Sequence, residues 1–154
     1  MPYPFNTIKV DRAKLVDLLN RTVNKKKYKL GAKAALDSQP EAWAQIDCSG
    51  FVRYLLHKMA GGLTIPDGSW NQHSWCTSKN FKPTVYEDVA GLSDDRLRIA
   101  FINPVGKKAG HVWLILNAKT IESCGGKGPT RRKWDSKPLL SSVCACYVLT
   151  GPLS

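Results

Sequence analysis

Apolar residues recur at helical spacing in two stretches of the N-terminal half and in short unbroken runs in the last third. The first stretch follows Asp11, with Leu15, Val16, Leu18, Leu19 and Val23 on one stripe through about Asn24. Asp11 is suited to cap it, and Lys25-Lys26-Lys27 ends it. In the second, Phe51, Val52, Leu55, Leu56 and Met59 fall at the i, i+4, i+8 spacing of one buried face. Arg53, His57 and Lys58 take the other side, and Gly61-Gly62 stops the helix. Pro2 and Pro4 keep residues 1–10 extended. Residues 34–46 read as a loop with a short helical turn. Residues 63–82 contain Pro66, Gly68 and Asn71 and read as a loop carrying Ser69, Trp70, Gln72, His73 and Trp75.

Strand signals begin after a polar, irregular stretch at 88–98 that has room for one helical turn. They cover 98–102, 111–116, 120–123 and 143–149, of which 111–116 is the strongest. Residues 103–110 read as a hairpin loop and Asn117-Ala118-Lys119 as a tight turn. Helices first, then antiparallel strands, is the order of an α+β fold, with N-terminal helices packed on one face of an antiparallel meander. At 154 residues the chain reads as one domain, 1–154.

The net charge of +11 is the unusual bulk property. It favours an anionic partner, such as an anionic cell wall or membrane surface, or nucleic acid. The two basic clusters, Lys25-Lys26-Lys27 and Arg131-Arg132-Lys133, match no nucleic-acid-binding signature, so no nucleic acid is expected. A solvated surface explains either cluster as well. No run of about 18 apolar residues exists, so no membrane span is predicted. The N-terminus lacks a basic segment followed by an apolar one, so no signal peptide is visible. The five cysteines include no C-x-x-C pair, which argues against zinc and thioredoxin-like sites. Setting Cys48 aside, Cys76, Cys124, Cys144 and Cys146 are even in number and would permit two disulfides. Cys144 and Cys146, two apart on a strand, point the same way and read as sheet or core residues.

Cys48 stands apart because it lies between Asp47 and Ser49-Gly50 at the start of a helix. Asp47 is a plausible cap, and the helix dipole favours a thiolate in the first turn. Most cysteines only pack, so a base must be found for this one. Of three histidines, His57 lies two and a half turns along the same helix and faces away, and His73 cannot be placed. His111 opens the strongest strand, after Gly110, where a strand end can face a helix start. Glu122 on the next strand is a candidate to orient it. With a two-residue turn at Asn117-Ala118, Glu122 lies across from Trp113 and shares a face with His111, roughly 7–8 Å away between backbones. A turn one residue longer puts them on opposite faces, and an exposed strand carboxylate is the alternative.

Together Asp47-Cys48-Ser49-Gly50-Phe51, Gly110-His111-Val112 and Thr120-Ile121-Glu122-Ser123 resemble the NlpC/P60 family of papain-like cysteine peptidases. Tyr28-Lys29-Leu30-Gly31-Ala32-Lys33 is similar to the family's segment before the nucleophile. Residues 65–72, from Ile65 to Gln72, are similar to its loop motif, with Asp67 where a basic residue is common. The resemblance implies hydrolysis of an amide bond in a peptidoglycan stem peptide, typically between D-Glu and a diamino acid. It implies Cys48 as nucleophile, His111 as base and Glu122 in a third position that is often histidine. Tyr28, Ser49, Ser69 and Gln72 would serve the substrate or the oxyanion, with no metal or cofactor. A monomer is expected, made in a cytoplasm and reaching the wall after release or export, as a phage lysin, tail hydrolase or secreted toxin. A papain-like acyltransferase or amidase on a lipid or small amide would use the same Cys–His pair. The run from Gly125 to Arg132 would edge the cleft, its charge meeting substrate carboxylates or merely solvated.

Overall fold

The computed structural model of the chain describes residues 3–103, 110–135 and 142–154. Helix α1 (Arg12–Thr22) starts at Asp11, whose carboxylate accepts the Lys14 N–H at 3.1 Å. Leu15 and Leu18 are buried but Val16 is exposed, so the buried stripe is narrower than the sequence pattern. Helix α2 (Cys48–Met59) buries all five residues of its apolar face and Tyr54 as well. One 3-10 turn, Pro40–Ala42, lies in the 34–46 loop.

The stretch expected to be a loop contains helix α3 (Ser69–Ser78). Gly68, at φ +87°, turns the chain into it. Its fully buried residues are Gln72 and Cys76, one turn apart, while Trp70 is exposed. A buried stripe containing an amide, with an indole on the solvent side, leaves no hydrophobic period to read. A single helical turn is present as α4 (Tyr86–Val89), but it begins before the 88–98 stretch in which one was expected.

The strands are β1 (Lys82–Thr84), β2 (Arg96–Ile102), β3 (His111–Leu116), β4 (Lys119–Cys124), β5 (Gly128–Thr130) and β6 (Ala145–Pro152). They form one antiparallel sheet in the order β1-β6-β2-β3-β4-β5. Strands β2 to β5 are a meander, but β6 crosses back to pair with β2. The simple meander expected from the sequence is corrected by that crossover. The 104–109 part of the expected hairpin loop lies outside the described residues. Strand β6 starts at Ala145, so Cys144 precedes it and is exposed, whereas Cys146 is buried. Cys144 is therefore not the sheet residue it was expected to be.

Alternation divides the sheet between two cores. Phe101, Val112, Leu114, Ile121 and Leu149 join α1 and α2 in the main core. Ala100, Trp113, Ile115 and Cys146 face the other way and are covered by Tyr86, Ala90 and Trp134. The N-terminal helices α1 and α2 thus pack on one face, as expected, and α4 with Trp134 covers the other. Double coverage is why β2 and β3 read as unbroken apolar runs. Helix α2 packs on β3 and β4, which brings its start to the β3–β4 hairpin.

Candidate active site

Cys48 is the first residue of α2, and Asp47 before it is the cap, accepting the Gly50 N–H at 2.8 Å. Asp47 is itself held. The Gly31 N–H reaches Oδ2 at 3.0 Å, and Lys33 Nζ lies 2.7 Å from both carboxylate oxygens. The residue upstream is docked from two sides. Ile46 donates its N–H to the Lys27 carbonyl at 3.0 Å, and its own carbonyl accepts the Ser123 hydroxyl of β4 at 2.8 Å. The thiol therefore sits on a fixed turn at the positive end of a helix.

His111 opens β3. A two-residue turn, Asn117-Ala118, with φ of +50° and +66°, joins β3 to β4 with Leu116 opposite Lys119 and Leu114 opposite Ile121. Continued one step, that register sets Glu122 against Trp113, on the His111 face. His111 Nε2 and Glu122 Oε1 are 2.9 Å apart. The imidazole also stacks on Trp113, with centroids 5.2 Å apart. Cys48 is near enough to influence the ring's titration, and with Nε2 facing Glu122 the ring nitrogen left over is Nδ1. Burial disfavours the imidazolium, but the neighbouring Cys48 and Glu122 outweigh it and hold the His111 pKa at about 9. Such surroundings favour the imidazolium form of His111.

Glu122 is fully buried. Burial pushes its carboxyl up, yet hydrogen bonds from His111, Arg132 and Thr120 hold it down at about 2. Arg132 grips both oxygens, with Nη2 2.7 Å from Oε1 and Nε 2.9 Å from Oε2. The Thr120 hydroxyl donates to Oε2 and accepts the Arg132 N–H at 2.8 Å. Sequence reasoning missed Thr120 and Arg132, assigning Arg132 only to a loop at the cleft edge. The β4–β5 hairpin, with Glu122 paired to Thr130, brings Arg132 back beside Glu122. One signal was available: a buried carboxylate needs a cation, and the nearest basic run after Glu122 is Arg131-Arg132-Lys133.

The remaining expected site residues divide. Tyr28 is half-buried, and burial, Cys48 and Asp47 all raise its hydroxyl pKa, so it shares their surroundings. A cavity of about 300 Å³ opens beside it, lined by Lys27, Gly126 and Lys127. Ser69 is half-buried at the start of α3. Ser49 and Gln72, expected to serve the substrate or the oxyanion, both have buried side chains. Lys33 Nζ donates to Ser49 Oγ at 2.9 Å, while Gln72 Nε2 donates to the Ser49 and Pro66 carbonyls at 3.0 and 3.1 Å. They brace the Cys48 turn from behind. His57 bonds Thr64 at 3.2 Å, and His73 stacks on Phe101.

The basic clusters are partly consumed inside the molecule. Lys26 Nζ donates to the Pro40 and Trp43 carbonyls, and Arg131 to those of Thr120 and Leu116. All five cysteines are unpaired, and burial pushes Cys76 and Cys146 up, away from the thiolate. The larger cavity of about 720 Å³, between residues 8–14 and the end of α2, lies at the opposite end of that helix from Cys48. Among the described residues no group of His, Cys, Asp and Glu could hold a metal ion, and no helix is long and apolar enough to cross a membrane.

No protein-family model and no curated protein matches the chain. Solved structures do. One is a protein of Staphylococcus aureus described as similar to lipoprotein, NLP/P60 family, with a TM-score of 0.64 at 14% identity. It aligns with 98% of this chain and 46% of its own. A second is an NlpC/P60 family protein of Bacillus cereus, with a TM-score of 0.55 at 18% identity, covering 94% of this chain and 40% of its own. The chain has the fold of these proteins and spans less than half the length of either.

Proposed function

We propose that the chain is a cysteine peptidase of the NlpC/P60 type, hydrolysing an amide bond in a peptidoglycan stem peptide, typically between D-Glu and a diamino acid. The observation that carries this reading is one array: Cys48 at the start of α2, its neighbour His111, and Glu122 hydrogen-bonded to His111. Nucleophile, base and orienting group in sequence is the arrangement acyl transfer needs.

In this reading the Cys48 thiolate attacks the scissile carbonyl. In the first turn of α2 the Gly50 N–H is taken by the Asp47 carboxylate and the Phe51 N–H by the Asp47 carbonyl, which leaves the Cys48 and Ser49 N–H groups to receive the oxyanion. The C–N bond breaks as His111 gives its Nδ1 proton to the leaving amine, and a thioester remains on Cys48. Water, deprotonated by His111, then attacks the thioester, which releases the acid and the thiol. Glu122 keeps the imidazole oriented and stabilises its cation throughout. The wall is polyanionic, and the net charge of +11 suits it. Delivery as a lysin, tail hydrolase or toxin is the biological setting we assign to it.

Mass spectrometry of purified muropeptides, incubated with the wild type and with Cys48→Ala, tests the proposal. A fragment made by the wild type alone supports it, and its mass names the bond. A fragment made equally by both removes Cys48 from the chemistry. Turnover of a lipid ester with muropeptides left intact replaces the peptidase by an acyltransferase.

A further inference from the structure

Glu122 Oε1 receives two donors at once, His111 Nε2 at 2.9 Å and Arg132 Nη2 at 2.7 Å. Oε2 takes Arg132 Nε and the Thr120 hydroxyl. The carboxylate has four donors and no exposure to water, so it cannot turn without breaking several bonds. Arg132 is fixed just as firmly. Its N–H goes to Thr120 Oγ1 and its carbonyl accepts the Thr120 N–H, each at 2.8 Å. The neighbouring Arg131 side chain is anchored on the Thr120 and Leu116 carbonyls at 3.1 and 2.8 Å.

We propose that Arg132 is a positioning residue for the Cys48–His111 pair, acting through Glu122. By sharing Oε1 with His111, it keeps the carboxylate a fixed anion that orients the imidazole without drawing on its proton. This rests on the reading of Cys48 and His111 as nucleophile and base. The titratable and charged groups around His111 and Glu122 are Cys48 from α2, Tyr86 from α4, Cys124 from β4 and Arg132 itself, with Tyr28 and Asp47 on the Cys48 side. Beyond the Cys48 sulfur, charge alternates along the row from imidazolium to carboxylate and guanidinium. Removing the last member leaves Glu122 facing the imidazolium as its sole cation. The imidazolium then holds its proton more tightly and delivers it to a leaving amine more slowly.

The test compares the wild type with Arg132→Gln, Arg132→Lys and Thr120→Val. His111 is titrated by NMR of the labelled imidazole, and Cys48 alkylation by iodoacetamide is followed across pH; neither needs a substrate. In Arg132→Gln the His111 titration moves up by about one pH unit, while Arg132→Lys, which keeps the charge, stays near the wild type. On a substrate that turns over, kcat in Arg132→Gln falls about tenfold, the cost of one hydrogen bond between charged groups, with KM little changed. Thr120→Val, which loosens the carboxylate but leaves the cation, lowers the alkylation rate with a smaller change in titration. A His111 titration unmoved in Arg132→Gln, or moved down, overturns the proposal and makes Arg132 a structural tie. Failure of the wild type to cleave muropeptides would count against the peptidase reading, while the titration still decides the role of Arg132.

Discussion

Lys33 and Asp67 form an ion pair of 2.9 Å, and the same ammonium lies 2.7 Å from both oxygens of Asp47. Asp67 stands where the family resemblance leads one to expect a basic residue. Here the cation comes from Lys33 instead, so the loop before α3 is tied to the cap of the helix that carries Cys48. The two arms differ in depth, since Asp47 is buried and the Asp67 side chain is 51% exposed. Lys33→Met leaves a buried carboxylate without its cation and is expected to cost about 2 kcal/mol. Asp67→Asn is expected to cost under about 0.5 kcal/mol, because water screens an exposed pair. Urea unfolding of the two variants measures this, and equal losses would show that the loop tie matters as much as the cap.

The Cys48–His111–Glu122 row makes stability depend on pH with a definite sign. The His111 pKa is raised from 6.5 to about 9 in the folded chain. Its contribution is complete below about pH 6.5 and is lost as the pH rises through about 9. Glu122 runs the opposite way: lowered from 4.5 to about 2, it contributes above about pH 4.5 and its share is lost as the pH falls through about 2. The urea midpoint should therefore fall between pH 6.5 and 9. Cys48→Ala removes a neighbour that raises His111, so both the His111 titration and the alkaline decline should shift to lower pH. Glu122→Gln should do the same. A midpoint with the same pH dependence in all three proteins would mean that the row does not stay charged in the folded chain.

What could be read from the chain follows from how local each signal is. The α2 face was legible because Phe51, Leu55 and Met59 meet a sheet, so spacing and burial coincide. The His111–Glu122 relation was legible conditionally, since it follows from one turn length. Nothing local marked α3, because the position of Gln72 is set by the Ser49 and Pro66 carbonyls rather than by hydrophobicity. Nor did anything mark the crossover of β6, since the Ile99 to Tyr147 pairing is specified only by the completed sheet. Arg132 was hidden because the β5 hairpin returns it to Glu122, and a basic run looks alike whether solvated or buried against a carboxylate.

Gly128 locks the segment carrying Tyr28 to the hairpin carrying Arg132. Its φ is +71°, and a Cβ there would lie 2.5 Å from the Lys26 carbonyl oxygen and 2.8 Å from Lys27 backbone atoms. Backbone cannot swing aside as a side chain can, and the left-handed conformation adds its own penalty for an L-residue. Gly128→Ala is expected to lose about 2 kcal/mol or more. It should also displace Tyr28, which a change in Tyr28 fluorescence or chemical shift would report. Retention of wild-type stability would mean that the Lys26–Lys27 backbone is free to retreat.

The turn that sets Glu122 against His111 is held by an unfavourable residue. Asn117 and Ala118 both have positive φ, as a two-residue hairpin turn of this hand requires. Asparagine tolerates that conformation; alanine pays about 1–2 kcal/mol for it. The turn persists because Asn117 is bonded to Asp95 at both ends, its Oδ1 accepting the Asp95 N–H at 2.9 Å and its Nδ2 donating to Oδ1 at 2.8 Å. Ala118→Gly removes the strain without touching that tie, and part of the gain is returned as the greater freedom of glycine in the unfolded chain. The net expectation is stabilisation of about 0.5–1 kcal/mol, with the His111 titration unchanged because the register is the same. Asn117→Ala should act in the other direction, losing both bonds to Asp95 and adding a second alanine at positive φ. If Ala118→Gly were instead destabilising, or moved the His111 titration, the alanine methyl would be holding the register and the strain argument would fail.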